Sequence, residues 1–268
     1  QPGGQVEPAA ATQPAVAASK SAIEVLATRA GEDVTIGSIR KEKNPFRLQV
    51  TLTPRGAGVR EALLADYFET TSHQRNYRLI APPGEGGAEP LDLAAESVEV
   101  DGQNVELSDA AWQLAGRGRD GDGGEWVEFV ARLVRDGQPV LDIHKRFSLA
   151  RGSYELRVGY RLSVPAGSSG PLPGVVLAGT GIRTLSQENV KEDRTLVWRA
   201  GGKVTRISRR QGVAEPDKEK IPPTGGEDGL QWAATDNRFF VALVRPTASA
   251  APIQFSVKPL GHDKAKSP

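Results

Sequence analysis

No cysteine occurs in the 268 residues, which excludes disulfides, thiol nucleophiles and cysteine-based zinc sites. Methionine is missing too, even at position 1, so the chain is expected to be a fragment or a processed product. Histidine is scarce. His73, His144 and His262 lie far apart, with none of the close spacings that bring ligands together on one element. A metal needs three or four convergent ligands, so neither a metal nor another cofactor is expected. Excess charge of either sign is absent as well: 34 basic residues stand against 33 acidic ones, a net charge of +1. Nucleic-acid binders need a basic face, so nucleic acid is not an expected partner. Finally, no apolar run approaches the roughly 20 residues of a membrane helix. The longest, such as "GVVLAG" and "FFVALV", have strand length. Any membrane anchor is expected outside this stretch.

What is present is a period of two. "RLQVTLT" (47–53) sets Leu48, Val50 and Leu52 on one face and polar residues on the other. "YELRVGYRLSV" (154–164) alternates Tyr154, Leu156, Val158, Tyr160, Leu162 and Val164 with Glu155, Arg157, Gly159, Arg161 and Ser163. Such alternation marks half-buried antiparallel strands. Three hairpins are expected. They turn at "ARGS" (150–153), at "RDGQ" (135–138) and at Gly201-Gly202. "GVREALLADY" (58–67) carries an apolar spacing of four yet is read as a short strand and turn. "LDLAAES" (91–97) and "GLQWAAT" (229–235) are read as one or two helical turns each. The fold class expected is mainly β, a large antiparallel sandwich with a few short helices. Residues 1–29, rich in Ala, Pro and Gln, are expected to be a linker, residues 30–258 the sandwich domain and residues 259–268 a tail.

Candidate chemistry is sparse. Asp142 and His144 share a strand face, but no nucleophile elbow accompanies them, so they read as a solvated face. "GRGRDGDGGEW" (116–126) offers Asp120, Asp122 and Glu125 without the spacing of a calcium loop, and reads as a hairpin turn. "KVTRISRRQG" (203–212) reads as a charged edge strand. Lys145 shares the face of Ile143, Phe147 and Leu149, so it points inward, its stem on the core and its ammonium at the rim. "GLQWAATDNRFFVALVRP" (229–246) reads as a polar turn at Asp236 and Asn237. It is followed by a strand, apolar on both faces, from the middle of the sandwich, with Trp232 plugging one end.

Three blocks resemble the periplasmic domain of YidC-type membrane protein insertases. "LQVTLTPRGAGVREALLADY" (48–67) resembles its opening strand and "TxRGG"-like turn, with Thr53, Arg55, Gly56, Ala62, Leu63, Leu64 and Tyr67 as counterparts and Ala57 in place of the second glycine. "IHKRFSLARGSYELRVGYRLSV" (143–164) resembles a K-x-F-x-L-x-R-G-x-Y-x-L-x-V-x-Y hairpin through Lys145, Phe147, Leu149, Arg151, Gly152, Tyr154, Val158 and Tyr160. "GLQWAATDNRFFVALVRP" is similar to a third stretch through Trp232, Phe239, Phe240, Ala242 and Pro246. The resemblance implies a β-super-sandwich of galactose-mutarotase-like shape at the periplasmic face of the bacterial inner membrane, anchored by helices outside this chain. It implies structural roles for these residues, no catalysis, and a docking role. The implied partners are the parent's own membrane helices, Sec translocon components and nascent membrane proteins. The alternative is a carbohydrate-binding or sugar-modifying sandwich of the cell envelope. Trp112, Trp126, Trp198 and Trp232 could serve it, but none has paired carboxylates at a telling spacing. A stand-alone secreted scaffold is a third reading.

Overall fold

A computed structural model describes residues 21–29, 31–40, 42–82, 91–164, 175–179, 195–208, 230–236 and 241–245. Sixteen strands run through them: β1 Ile23–Val25, β2 Val34–Gly37, β3 Leu48–Thr53, β4 Gly58–Phe68, β5 Asn76–Ile80, β6 Ala95–Val100, β7 Gln103–Glu106, β8 Gln113–Arg119, β9 Glu125–Arg135, β10 Gln138–Leu149, β11 Leu156–Ser163, β12 Val175–Gly179, β13 Thr195–Ala200, β14 Lys203–Ser208, β15 Leu230–Asp236 and β16 Val241–Val244. Among the described residues there is no helix, and every strand pair is antiparallel. Four sheets result, in the orders β1-β9-β10-β11 with β8 also on β9, β2-β3-β4-β5, β12-β6-β7 and β14-β13-β15-β16.

The hairpins follow from turn chemistry. Asp101-Gly102 (φ 52° and 77°), Asp136-Gly137 (52° and 73°) and Gly201-Gly202 (55° and 72°) each place two successive residues at positive φ. That is the type I′ turn, whose twist matches the flanking strands. The core lies where the inner faces of the sheets meet. Leu48, Val50 and Leu52 of β3 pack there with Phe129 and Leu133 of β9 and Leu141, Ile143, Phe147 and Leu149 of β10. Phe129 and Phe147 meet edge to face, centroids 6.4 Å apart, a favoured geometry for aromatic pairs.

Several sequence expectations shift. Residues 58–67 belong to one eleven-residue strand, β4. Its register against β3 slips between Thr51 and Leu52, so Arg60 is an extra residue that changes the phase of the alternation. The bulge leaves Val59 buried while Leu63 and Tyr67 take the less buried face, so the spacing of four marks no single face. "LDLAAES" is an isolated bridge at Asp92 leading into β6, and "GLQWAAT" is strand β15; neither is helical. Sheet ladders supply the backbone partners there, which overrides weak local propensity. β1 falls within the stretch expected to be a linker: Ile23 is buried and the strand pairs with β9. Among the described residues β16 ends its sheet, and Val241 and Leu243 are exposed, where a strand from the middle of the sandwich would bury them. β11 likewise ends its sheet among the described residues, and Tyr160 and Leu162 are exposed despite facing the same way as buried Lys145 and Ile143. An inner face gains cover only where another layer lies opposite, and an edge strand reaches beyond that layer.

Candidate functional site

The residues that the three blocks share have distinct roles. Arg55 and Gly56 lie in the β3–β4 turn, which is stitched to other segments by main-chain bonds. Gly56 N–H donates to Ala110 O (2.9 Å), Ala95 N–H to Gly56 O (2.8 Å) and Trp112 N–H to Pro54 O (3.0 Å). Gly56 has φ 60°, and a Cβ there would sit 2.8 Å from Ser108 O. Ala57 follows at φ 45°; its Cβ makes that left-handed conformation more costly than a glycine would. The Arg55 Nε donates to Asp109 Oδ1 at 2.9 Å. This group is therefore a junction between the β2–β5 and β6–β7 layers. Leu63 is half-buried on β4, and Gly152 provides the positive φ (68°) of the β10–β11 turn. Trp232 is half-buried on β15, opposite Arg199. Phe239, Phe240 and Pro246 lie outside the described residues.

Lys145 is the most unusual of them. The sequence pattern points it inward, and the structure buries it completely, with 0% exposed. Its ammonium does not reach the rim. The Nζ donates to the carbonyl of Leu93 and lies 5.1 Å from the ring centres of both Phe147 and Tyr160. Burial lowers its pKa to about 7, because the charged form loses hydration that one carbonyl and two ring faces replace only in part. Leu93 takes φ 53°, so Lys145 fastens a left-handed residue just ahead of β6 onto β10.

The second grouping is exposed. Tyr67, near the end of β4, and Tyr154, just before β11, come together with ring centres 6.4 Å apart and planes at 53°. They are 48% and 49% exposed. Tyr154 Oη donates to Asp66 Oδ2 at 2.8 Å, and Arg47 NH1 donates to the same oxygen at 2.6 Å. Gly152 N–H donating to Pro45 O (2.7 Å) fixes the turn that carries Tyr154. The Tyr154 bond and then Arg47 hold Asp66 below the usual carboxylate range. Desolvation, followed by the bond to Asp66, pushes Tyr154 up to about 12. Tyr67 and Tyr154 are sequence-predicted family residues; Arg47 and Asp66 were missed, because their pairing spans separate strands and leaves no spacing signal. Tyr154→Phe should cost less than about 1 kcal/mol, as all four side chains are solvated. It should also move Asp66 back up toward the ordinary carboxylate pKa. A carboxylate titration by NMR reads this directly; an unchanged Asp66 pKa would contradict the geometry.

Elsewhere, polar residues form structural pairs. On the outer face of β9–β11, Arg132 grips Asp142 through two bonds (2.7 and 2.8 Å), which hold Asp142 below its usual pKa. His144 Nδ1 and Arg161 share Glu128 Oε1 at 3.0 and 3.2 Å. Arg146 pairs with Asp120 (3.2 Å) and stacks 4.1 Å above Trp126, whose other side covers Gly116 and Gly118. Asp142 is thus tied into an ion pair with Arg132, and His144 shares the Glu128 carboxylate with Arg161, on the outer face of the sheet. Three of the four tryptophans are poor platforms for a ligand: Trp112 is fully buried, Trp198 nearly so, and Trp126 is covered by Arg146. A notch of about 80 Å³ lined by Leu26, Thr28, Gln113 and Arg132 has room for waters and falls short of a ligand pocket. No group of three or more metal-ligating side chains occurs among the described residues.

These features define a multi-sheet antiparallel β-sandwich built around inter-layer junctions. Residues 45–266 match the sequence model of the family described as the YidC periplasmic domain, and the chain belongs to that family. No curated protein sequence matches the chain. Membership places the domain on the extracytoplasmic side and in the service of a membrane protein insertase.

Proposed function

We propose that this domain is a non-catalytic docking module of a membrane protein insertase. The match of residues 45–266 to the YidC periplasmic domain carries the reading. The architecture supports it: β11, β14 and β16 stand at the ends of their sheets among the described residues, and a strand at a sheet end offers main-chain groups that a partner segment can augment. The partners in this reading are the parent's membrane helices, which anchor the domain at the periplasmic face of the inner membrane, together with Sec translocon components and emerging membrane proteins. Its contribution is to hold partners near the insertase, while the membrane helices perform insertion. The test is removal of residues 30–258 from the intact insertase; most insertion activity is expected to remain.

A carbohydrate-binding reading is favoured by one observation. The structure places an exposed aromatic pair, Tyr67 and Tyr154, beside a carboxylate and a guanidinium, a combination that no single stretch of sequence contains.

A further inference from the structure

We propose that one face of the β13–β16 sheet docks on an anionic lipid surface, through exposed aliphatic side chains framed by arginine and lysine. Cross-strand register assigns the faces. Residues directly opposite in an antiparallel ladder share a face, as do residues two apart on one strand. Val204 stands in one row with Arg199 and Trp232, and Leu243 in the next with Ala234 and Val197. Val241 lies two residues before Leu243 and joins them. Trp198 is on the opposite face and is buried, so that side of the sheet is the inner one. On the outer face Val204, Leu243 and Val241 are 55%, 48% and 59% exposed. Ala234 is buried there as the shortest side chain of its row, flanked by Leu243 and Val197. Large aliphatic side chains left clustered in water mark a contact surface.

Charge selects the partner. The described residues of this sheet, with Arg245 directly after it, carry Arg199, Lys203, Arg206 and Arg245 against one acidic residue, Asp236. The whole chain has a net charge of only +1, so positive charge is concentrated here. The outer face of β9–β11 differs, because its Arg132, Arg146 and Arg161 each hold a carboxylate. Arg199, Lys203 and Arg245 are exposed and hold none among the described residues. A free anion or an acidic polypeptide supplies the opposite charge but no apolar layer for Val204, Val241 and Leu243. A bilayer of anionic phospholipid supplies both, with phosphate for the cations and acyl chain just beneath for the aliphatics. Trp232, half-buried on the same face, belongs to a residue type that settles at headgroup level. The family serves a membrane protein insertase from the extracytoplasmic side, so a bilayer lies close and modest affinity suffices. The inference uses that location and no protein partner, so it and the docking role can fail separately.

The experiment mixes the whole 268-residue chain with vesicles of phosphatidylglycerol and phosphatidylcholine, or of phosphatidylcholine alone. Bound protein is measured by co-sedimentation. Binding to the anionic vesicles is expected to be about tenfold stronger or more, and to fall as salt rises from about 0.05 to 0.5 M. Arg199→Gln combined with Arg245→Gln should lower the partition coefficient about tenfold or more, at roughly fivefold per cation. Val241→Ser combined with Leu243→Ser should lower it too, while the salt dependence remains. All four positions are exposed, and circular dichroism verifies folding. Arg119→Gln combined with Arg157→Gln removes the same charge from exposed positions of another sheet, and this control should bind within about twofold of wild type. Equal binding to both kinds of vesicle overturns the proposal and leaves this face to a protein partner. Unchanged binding by either test pair, or an equal loss in the control, overturns it as well.

Discussion

Gly37→Ala is expected to cost about 3 kcal/mol or more. Gly37 ends β2 at φ 74°, and a Cβ there would lie 2.1 Å from Leu48 O and 2.7 Å from Leu149 Cδ2. The first contact is with backbone inside a paired ladder, which cannot step aside without breaking β2–β3 pairing. The residue also joins layers, since its N–H donates to Glu125 Oε2 at 2.8 Å. Any shift that relieves the clash strains that bond. Gly102→Ala is the control. Its φ of 77° is as left-handed, but nothing lies within 4 Å of its Cβ position, so only the backbone cost of about 1 kcal/mol applies. Urea denaturation separates the two. Equal losses would show that the close approach at Gly37 is not real.

The second large effect concerns Lys145 and pH. Its folded pKa of about 7 lies well below the ordinary 10.5. Below pH 7 both folded and unfolded states carry the proton, and the fold bears the full cost of a buried charge. Between pH 7 and 10.5 the unfolded chain binds more protons than the folded one, so stability rises with pH; above 10.5 the gain is complete. The upper bound is about 5 kcal/mol. Lys145→Met keeps the stem's apolar packing and removes the titration. The difference in unfolding free energy between wild type and Lys145→Met should therefore slope across that window, because other groups titrate in both proteins and cancel. The variant should be the more stable below pH 7. Its advantage should shrink or reverse by pH 10, where the neutral amine still donates to Leu93 O and methionine leaves that carbonyl unpaired. A pH-independent difference would contradict the assignment of Lys145 as a buried amine.

How much of this was legible in the sequence depended on whether the signal was local. β3 could be read residue by residue, since Leu48, Val50 and Leu52 alternate cleanly and all three are buried. The Asp136-Gly137 and Gly201-Gly202 turns were equally plain, because positive φ demands a restricted set of residues. β4 was harder: one extra residue at Arg60 shifts the alternation, and a bulge depends on the partner strand. The inward direction of Lys145 was visible, but its depth was not, since the carbonyl that receives it lies 52 positions away. Exposure of Tyr160, Leu162, Val241 and Leu243 was hidden for a related reason. Alternation tells which face a residue occupies and says nothing of whether a layer lies above it. The Tyr67–Tyr154 site was half legible. Both tyrosines stood out through resemblance, while Arg47 and Asp66 joined them only through the fold.

The central claim is that this domain assists an insertase without performing insertion. It is tested most directly by reconstituting the intact parent protein, with and without residues 30–258, in lipid vesicles and measuring protease-protected insertion of a reporter membrane protein. The truncated form, present at equal amount and with its membrane region folded, is expected to keep most of the activity. Complete loss of insertion under those conditions would contradict it.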